Sequence, residues 1–249
     1  MPRRPSDDQH LLFGDGSIDR ALAVVGAAAT SADDLELGRR LPAPIRLGTS
    51  SWAFPGWRGV VYADRIRAAD LPRHGLAAYG RHPLLRTVGL DRSFYSLLAK
   101  TEYAELASLV PAGFRFLVKA HQSLVRPDAD AEGRTFGDTA ALRSSGIANP
   151  IFLDPRSAVD HCVAPAALGL GQAMGPLVFQ FPPLDFGRGV GRRPGRLDGP
   201  AEFLDRLADF LGRLPRGGDA PLYAVEIRNG ELLSPEWVGR YAGVLASVG

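Results

Sequence analysis

The chain has 249 residues, 45% of them hydrophobic, enough to bury one large core. Its 29 basic and 27 acidic residues leave a formal net charge of +2, which argues against a nonspecific nucleic-acid binder; the sequence pI of 8.9 adds little at such balance. The single cysteine, Cys162, excludes an intrachain disulfide and suits a reducing compartment, and no apolar run reaches the ~18 residues of a membrane span.

Residues 1–44 are polar, then alanine-rich, and close on Leu41-Pro-Ala-Pro44. They read as a mobile leader with at most one short helix. Ala21 to Ala32 has the composition of a signal-peptide core, but Asp7, Asp8, Asp15 and Asp19 precede it where a basic region belongs. A cytoplasmic location is the expectation.

From residue 45 to 249 the pattern is that of one β/α domain. Ile45 to Thr49 reads as a strand and leads into Ser50-Ser-Trp52-Ala-Phe-Pro55-Gly-Trp57-Arg-Gly59, a loop of aromatics and turn residues. Trp57 is expected to plug the structure, whereas Trp52 could plug it or face a ligand. A helix is predicted over Leu71 to Arg81, a strand over Leu84 to Leu90, and a helix over Thr101 to Leu109 with Thr101 as N-cap. Asp91 and Tyr95, between that strand and that helix, are candidate substrate-binding groups. Turn capping or pairing with Arg92 for Asp91, and packing for Tyr95, are the ordinary alternatives.

Phe114, Phe116 and Val118 alternate with Arg115, Leu117 and Lys119, the period-two pattern of a strand running to His121. It would present Lys119 and His121 on one face at its C-terminal end. Lys100 and Lys119 are the only lysines, so the other 27 of the 29 basic residues are arginines. A strand lysine can lose its proton when buried and an arginine effectively cannot, which singles out Lys119.

Gln122 to Gly175 reads as a long insertion whose first half resembles a lid, with a helix over Ser157 to Leu170. His161 beside Cys162 makes no zinc site without further ligands, and core packing is the default for the cysteine. A strand follows at Leu177 to Pro183, where Gln180 should face the interior and bond a ligand or a neighbouring site residue. After a Gly/Arg-rich linker, Phe203, Leu204, Leu207, Phe210 and Leu211 form the apolar stripe of a helix over Glu202 to Leu211. The last strand, Leu222 to Asn229, places Glu226 and Arg228 on one face, and Ser234-Pro235 opens a final helix.

Five strands alternating with helices predict an α/β parallel sheet, and the absence of Gly-x-Gly-x-x-Gly after the first strand argues against a dinucleotide fold. Polar residues recurring at strand C-termini match a TIM-type (β/α) barrel.

Gly48-Thr-Ser-Ser-Trp52, Pro55-Gly-Trp57-Arg-Gly59, Ser93-Phe-Tyr95, Phe114-x-Phe-x-Val-Lys119, Phe179-Gln-Phe-Pro-Pro183 and Ala224-Val-Glu226-Ile-Arg228 resemble, in order, the motifs of the DUF72 (YecE-like) family. The resemblance runs from Ile45 to Gly249 and implies a TIM-type barrel, with no reaction attached. Carried over, the matching site positions are Trp52, Tyr95, Lys119, Gln180, Glu226 and Arg228. One acidic group of the family pattern at the second strand is lost here or replaced by Asp91. About five of the eight β/α units of a barrel are recognisable, so the barrel is expected to be incomplete and the product C-terminally truncated.

The leading functional expectation is a small-molecule enzyme of hydrolase or isomerase class, with Lys119 and Glu226 as acid and base. Arg228 would bind an anionic group, and Gln180, Tyr95, Trp52, His121 and Asp91 would contact substrate. A Lys119–Glu226 ion pair is the purely structural alternative. A second class is a nucleic-acid binder or processing enzyme using the arginines at 188, 192, 193 and 196; a third is a non-catalytic fragment. No cofactor or metal is expected.

Overall fold

A computed structural model describes residues 25–127, 148–187 and 196–248. Five strands form one sheet in sequence order: β1 (Leu47–Thr49), β2 (Leu85–Leu90), β3 (Arg115–Lys119), β4 (Met174–Gln180) and β5 (Tyr223–Glu226). All four pairings are parallel, so each return path crosses one layer of helices, as an α/β architecture requires. Among the described residues β1 and β5 are the edges and do not pair with each other, so closure into a barrel is not seen.

Alternation along the strands decides which face is covered. Val88, Leu90, Phe116, Val118, Leu177 and Phe179 are buried and point to the helical layer. They divide between two apolar clusters. One gathers β2 and β3 with α2 (Leu71–His74), α3 (Leu76–Tyr79) and α5 (Lys100–Ser108). The other gathers β4 and β5 with α8 (Pro200–Gly212) and α9 (Val238–Val248). Met174 packs against both and joins them.

The predicted stripe on α8 is fully realised: Phe203, Leu204, Leu207, Phe210 and Leu211 are all buried. Phe210 meets Phe179 edge to face at 4.9 Å between centroids, and Phe203 meets Phe181 at 5.1 Å. β1 lies so close to β2 that a Cβ on Gly48 would stand 2.0 Å from the Thr87 carbonyl oxygen. Only glycine fits there.

Several predicted elements differ in detail, three helices most clearly. The helix over Leu71 to Arg81 is two single turns, α2 and α3, meeting at Gly75. The helix from Thr101 begins at Lys100, with Ala99 at the cap; Glu102 reaches back to accept the Ala99 N–H at 2.8 Å. The helix over Ser157 to Leu170 is α6 (Pro155–Ala158), a π-turn (Val159–Val163) and α7 (Ala164–Leu170). Pro165 explains the widening, because it donates no N–H and its ring crowds the carbonyl four residues back.

Of the stretch read as a leader, residues 25–44 are described. Ala28 donates to Val61 and Ala63 to Gly26, a short antiparallel bridge that buries Val25. Helix α1 (Ala32–Arg40) follows, capped by Ser31, whose Oγ accepts the Asp34 N–H at 3.0 Å. Most of the predicted lid, and the arginines at 188, 192 and 193, lie outside the described residues. No described helix is long and apolar enough to cross a membrane.

Candidate functional site

The sheet face away from the helices carries Leu117 and Lys119 on β3, Gln180 on β4 and Glu226 on β5, all half-buried or exposed. Asp91 follows β2 directly. Since Leu90 is in register with Val118, Asp91 falls beside Lys119, and Lys119 Nζ stands 2.7 Å from Asp91 Oδ1. The lysine side chain is 21% exposed and that of the aspartate 46%, so the pair is accessible from solvent. Arg92 turns the other way and pairs with Glu102; Asp91 does not cap the short helix α4 (Arg92–Tyr95) with its side chain.

Two strands along, Gln180 and Glu226 are exact register partners, and Gln180 Nε2 donates to Glu226 Oε2 at 2.5 Å. Arg228 Nε lies 3.5 Å from Glu226 Oε1, so both oxygens of the carboxylate have a partner. Lys119 and Glu226 are not paired with each other. Lys119 is level with Val178, and Val178 with Ala224, one step below the Gln180–Glu226 rung. Strand spacing and rise put roughly 10–12 Å between their backbones. The two charged clusters therefore stand on different rungs of the sheet, with β4 between β3 and β5.

A cleft of about 820 Å³ opens at the ends of β1 and β2 and runs between α2 and α5. Trp52 and Asp91 line it, with Arg73, His74, Arg92 and Glu102. Trp52 is partly buried and its Nε1 is committed to the Leu71 and Pro72 carbonyls, each at 3.2 Å, so it presents ring surface to the cleft. Trp57 packs among Phe54, Tyr62 and Tyr79. Tyr95 is 54% exposed and stands against Phe94 at 5.1 Å.

His121 lies elsewhere. β3 ends at Lys119, and His121 caps a 3-10 turn (Gln122–Leu124) with its ring turned inward, 4% exposed. Its Nδ1 accepts the Ser123 N–H at 3.3 Å and is 2.5 Å from Ser123 Oγ, while the ring also bonds the Tyr95 main chain. Burial lowers its pKa to about 4, so its imidazole is neutral at neutral pH. The Cys162 thiol bonds the His121 main chain, and burial pushes its pKa up to about 12.

Sequence reasoning did not single out Ser93. Its buried Oγ lies 2.7 Å from both the Leu90 and the Lys119 carbonyl oxygens, stitching the ends of β2 and β3. The hydroxyl thereby fixes the backbone that carries Asp91 and Lys119. The signal was present in Ser93-Phe-Tyr95, but a serine that bonds main chain looks like any turn serine in a sequence. Among the described residues no three His, Cys, Asp or Glu side chains group as metal ligands.

Residues 46–247 match the family model described as protein of unknown function DUF72. The chain belongs to the DUF72 family. Crystal structures of a DUF72 family protein from Enterococcus faecalis V583 match at 18% identity, one with a TM-score of 0.43 over 69% of this chain and 55% of that one. A second structure of it gives 0.44, over 71% and 51%. A DUF72 family protein from Thermotoga maritima MSB8 matches at 18% identity and a TM-score of 0.43, over 79% of this chain and 60% of that one. This DUF72 chain thus spans little more than half the length of those relatives. No curated protein matches it.

Proposed function

We propose that this DUF72 protein is a small-molecule enzyme of hydrolase or isomerase class, on a TIM-type β/α frame, acting at the C-terminal ends of β2 to β5. The observation that carries the reading is the convergence of Asp91, Lys119, Gln180, Glu226 and Arg228 at those ends, in two clusters, one an ion pair and the other an ion pair joined by a hydrogen bond. Strand C-termini are where parallel α/β folds place their chemistry.

In this reading Lys119 is the proton donor, oriented by Asp91, and Glu226 the acceptor, oriented by Gln180. Both groups sit at the margin of solvent, where a proton can be exchanged after each turnover. Arg228 keeps donors beyond its single contact with Glu226, and those would take a substrate carboxylate or phosphate. The 820 Å³ cleft beside Asp91, with the Trp52 ring in its wall, would hold the remainder of the substrate. The substrate is a small molecule with an anionic group.

Lys119→Met and Glu226→Gln test the assignment. Each should weaken substrate binding or turnover at least tenfold while leaving the urea midpoint of unfolding near that of the parent. Full activity in both variants would remove the two residues from the site.

A further inference from the structure

At the opposite end of the sheet, the segments that enter β1, β2 and β3 enclose a second cleft of about 380 Å³. Its ionisable lining is wholly basic: Arg46 before β1, Arg81 and His82 after α3, and Arg86 on β2. Elsewhere the arginines commonly meet carboxylates, as Arg39, Arg67, Arg206, Arg213 and Arg240 do. In this cleft they do not. Among the described residues Arg46 donates to the Gly113 carbonyl at 3.5 Å, Arg81 to Ala77 at 3.1 Å, and Arg86 to Gly38, all main-chain acceptors.

Asp34 of α1 is the acidic group that acts on His82, and it is already hydrogen-bonded to Ser31 Oγ at 2.7 Å. Burial holds His82 below the usual histidine range. Three guanidinium groups, each with donors left over, therefore face a common space with no carboxylate among its lining residues. Guanidinium forks match phosphate oxygens in geometry and charge, and three of them outweigh one tied aspartate.

We propose that this cleft binds a phosphate group carried by a small molecule. The site lies at the N-terminal ends of the strands, roughly 17 Å of β-strand away from the Lys119 cluster, and does not depend on the function proposed there. Its volume is near the lower end of small-ligand sites, enough for a phosphate with a sugar-sized appendage and too small for a large cofactor.

The probes are inorganic phosphate and a nucleoside monophosphate, titrated into the full chain by calorimetry at fixed ionic strength, with sodium chloride as the control. The His82 ring is followed by NMR, because an anion beside it favours the imidazolium and must raise its pKa. Saturable binding by either probe, with a rise in the His82 pKa, is expected in the parent. Arg46→Gln combined with Arg81→Gln should weaken it at least tenfold; Arg86 is left in place because it also holds α1. A circular dichroism melt of the double variant without ligand checks that it folds, and Arg46→Lys should retain part of the binding. Preference for the monophosphate over free phosphate would support a phosphorylated small molecule as the ligand, and the reverse order would contradict it. Binding no stronger than the chloride control, or undiminished in a folded double variant, would overturn the proposal.

Discussion

His121 shows how one buried residue bears on the stability of the whole. Its ordinary pKa is near 6.5 and in the folded chain about 4, so between these values the unfolded state binds a proton that the folded state does not. Stability from this group is therefore complete above pH 6.5 and lost as pH falls toward 4, by roughly 3 kcal/mol across that window. Urea unfolding at steps from pH 7 to 4 should show this fall, and His121→Gln should flatten it whatever its own effect at neutral pH. A slope unchanged by the substitution would mean that His121 is not buried as described. Ser93→Ala makes a companion test: it takes a hydroxyl partner from the Leu90 and Lys119 carbonyls and should cost about 1–3 kcal/mol by urea denaturation. None of this was visible in the sequence. Alternation put Lys119 and His121 on one strand face, but the strand stops at Lys119 and the histidine ring enters the interior, bonding a main chain 26 residues earlier.

At the scale of elements the sequence was more legible, because burial imposes a period. All five strands stand within a few residues of where the sequence pattern placed them, and α8 buries the five residues its 3.6-residue period selected. The interrupted helix α6–α7 escaped for a local reason: Pro165 lies within a run whose apolar spacing still looks helical. Helix α7 also crosses α5 at Gly169, where a Cβ would come within 2.5 Å of the Lys100 carbonyl oxygen and the Tyr103 Cβ. On propensity alone Gly169→Ala should stabilise a helix by about 1 kcal/mol. The crossing predicts the opposite sign, a net loss of about 1–3 kcal/mol, since backbone on both sides must shift. Thermal melts of the parent and the variant decide between them, and a raised midpoint would mean that the two helices are not in close contact.

Over the whole molecule, a parallel sheet in sequence order places one helical layer behind the strands and gathers their C-terminal residues at one end. That much followed from patterning, and the six motifs led to the DUF72 family, to which the chain belongs. What patterning could not supply was partnership. The lysine and the glutamate looked like a pair because both end inner strands, yet register sets them on different rungs, and each meets a nearer group, Asp91 or Gln180. The same register supports the proposal that a substrate occupies the space between them.

The measurement that tests this most directly is a thermal melt of the chain against a panel of small carboxylates, phosphates and sugars, run in parallel on Lys119→Met. A ligand held at about a hundred times its dissociation constant should add roughly 2.7 kcal/mol. One anionic class should raise the parent's melting temperature and leave that of Lys119→Met where it was. An equal rise in both proteins, or no rise in the parent with any class, would contradict an active site at the C-terminal ends of these strands.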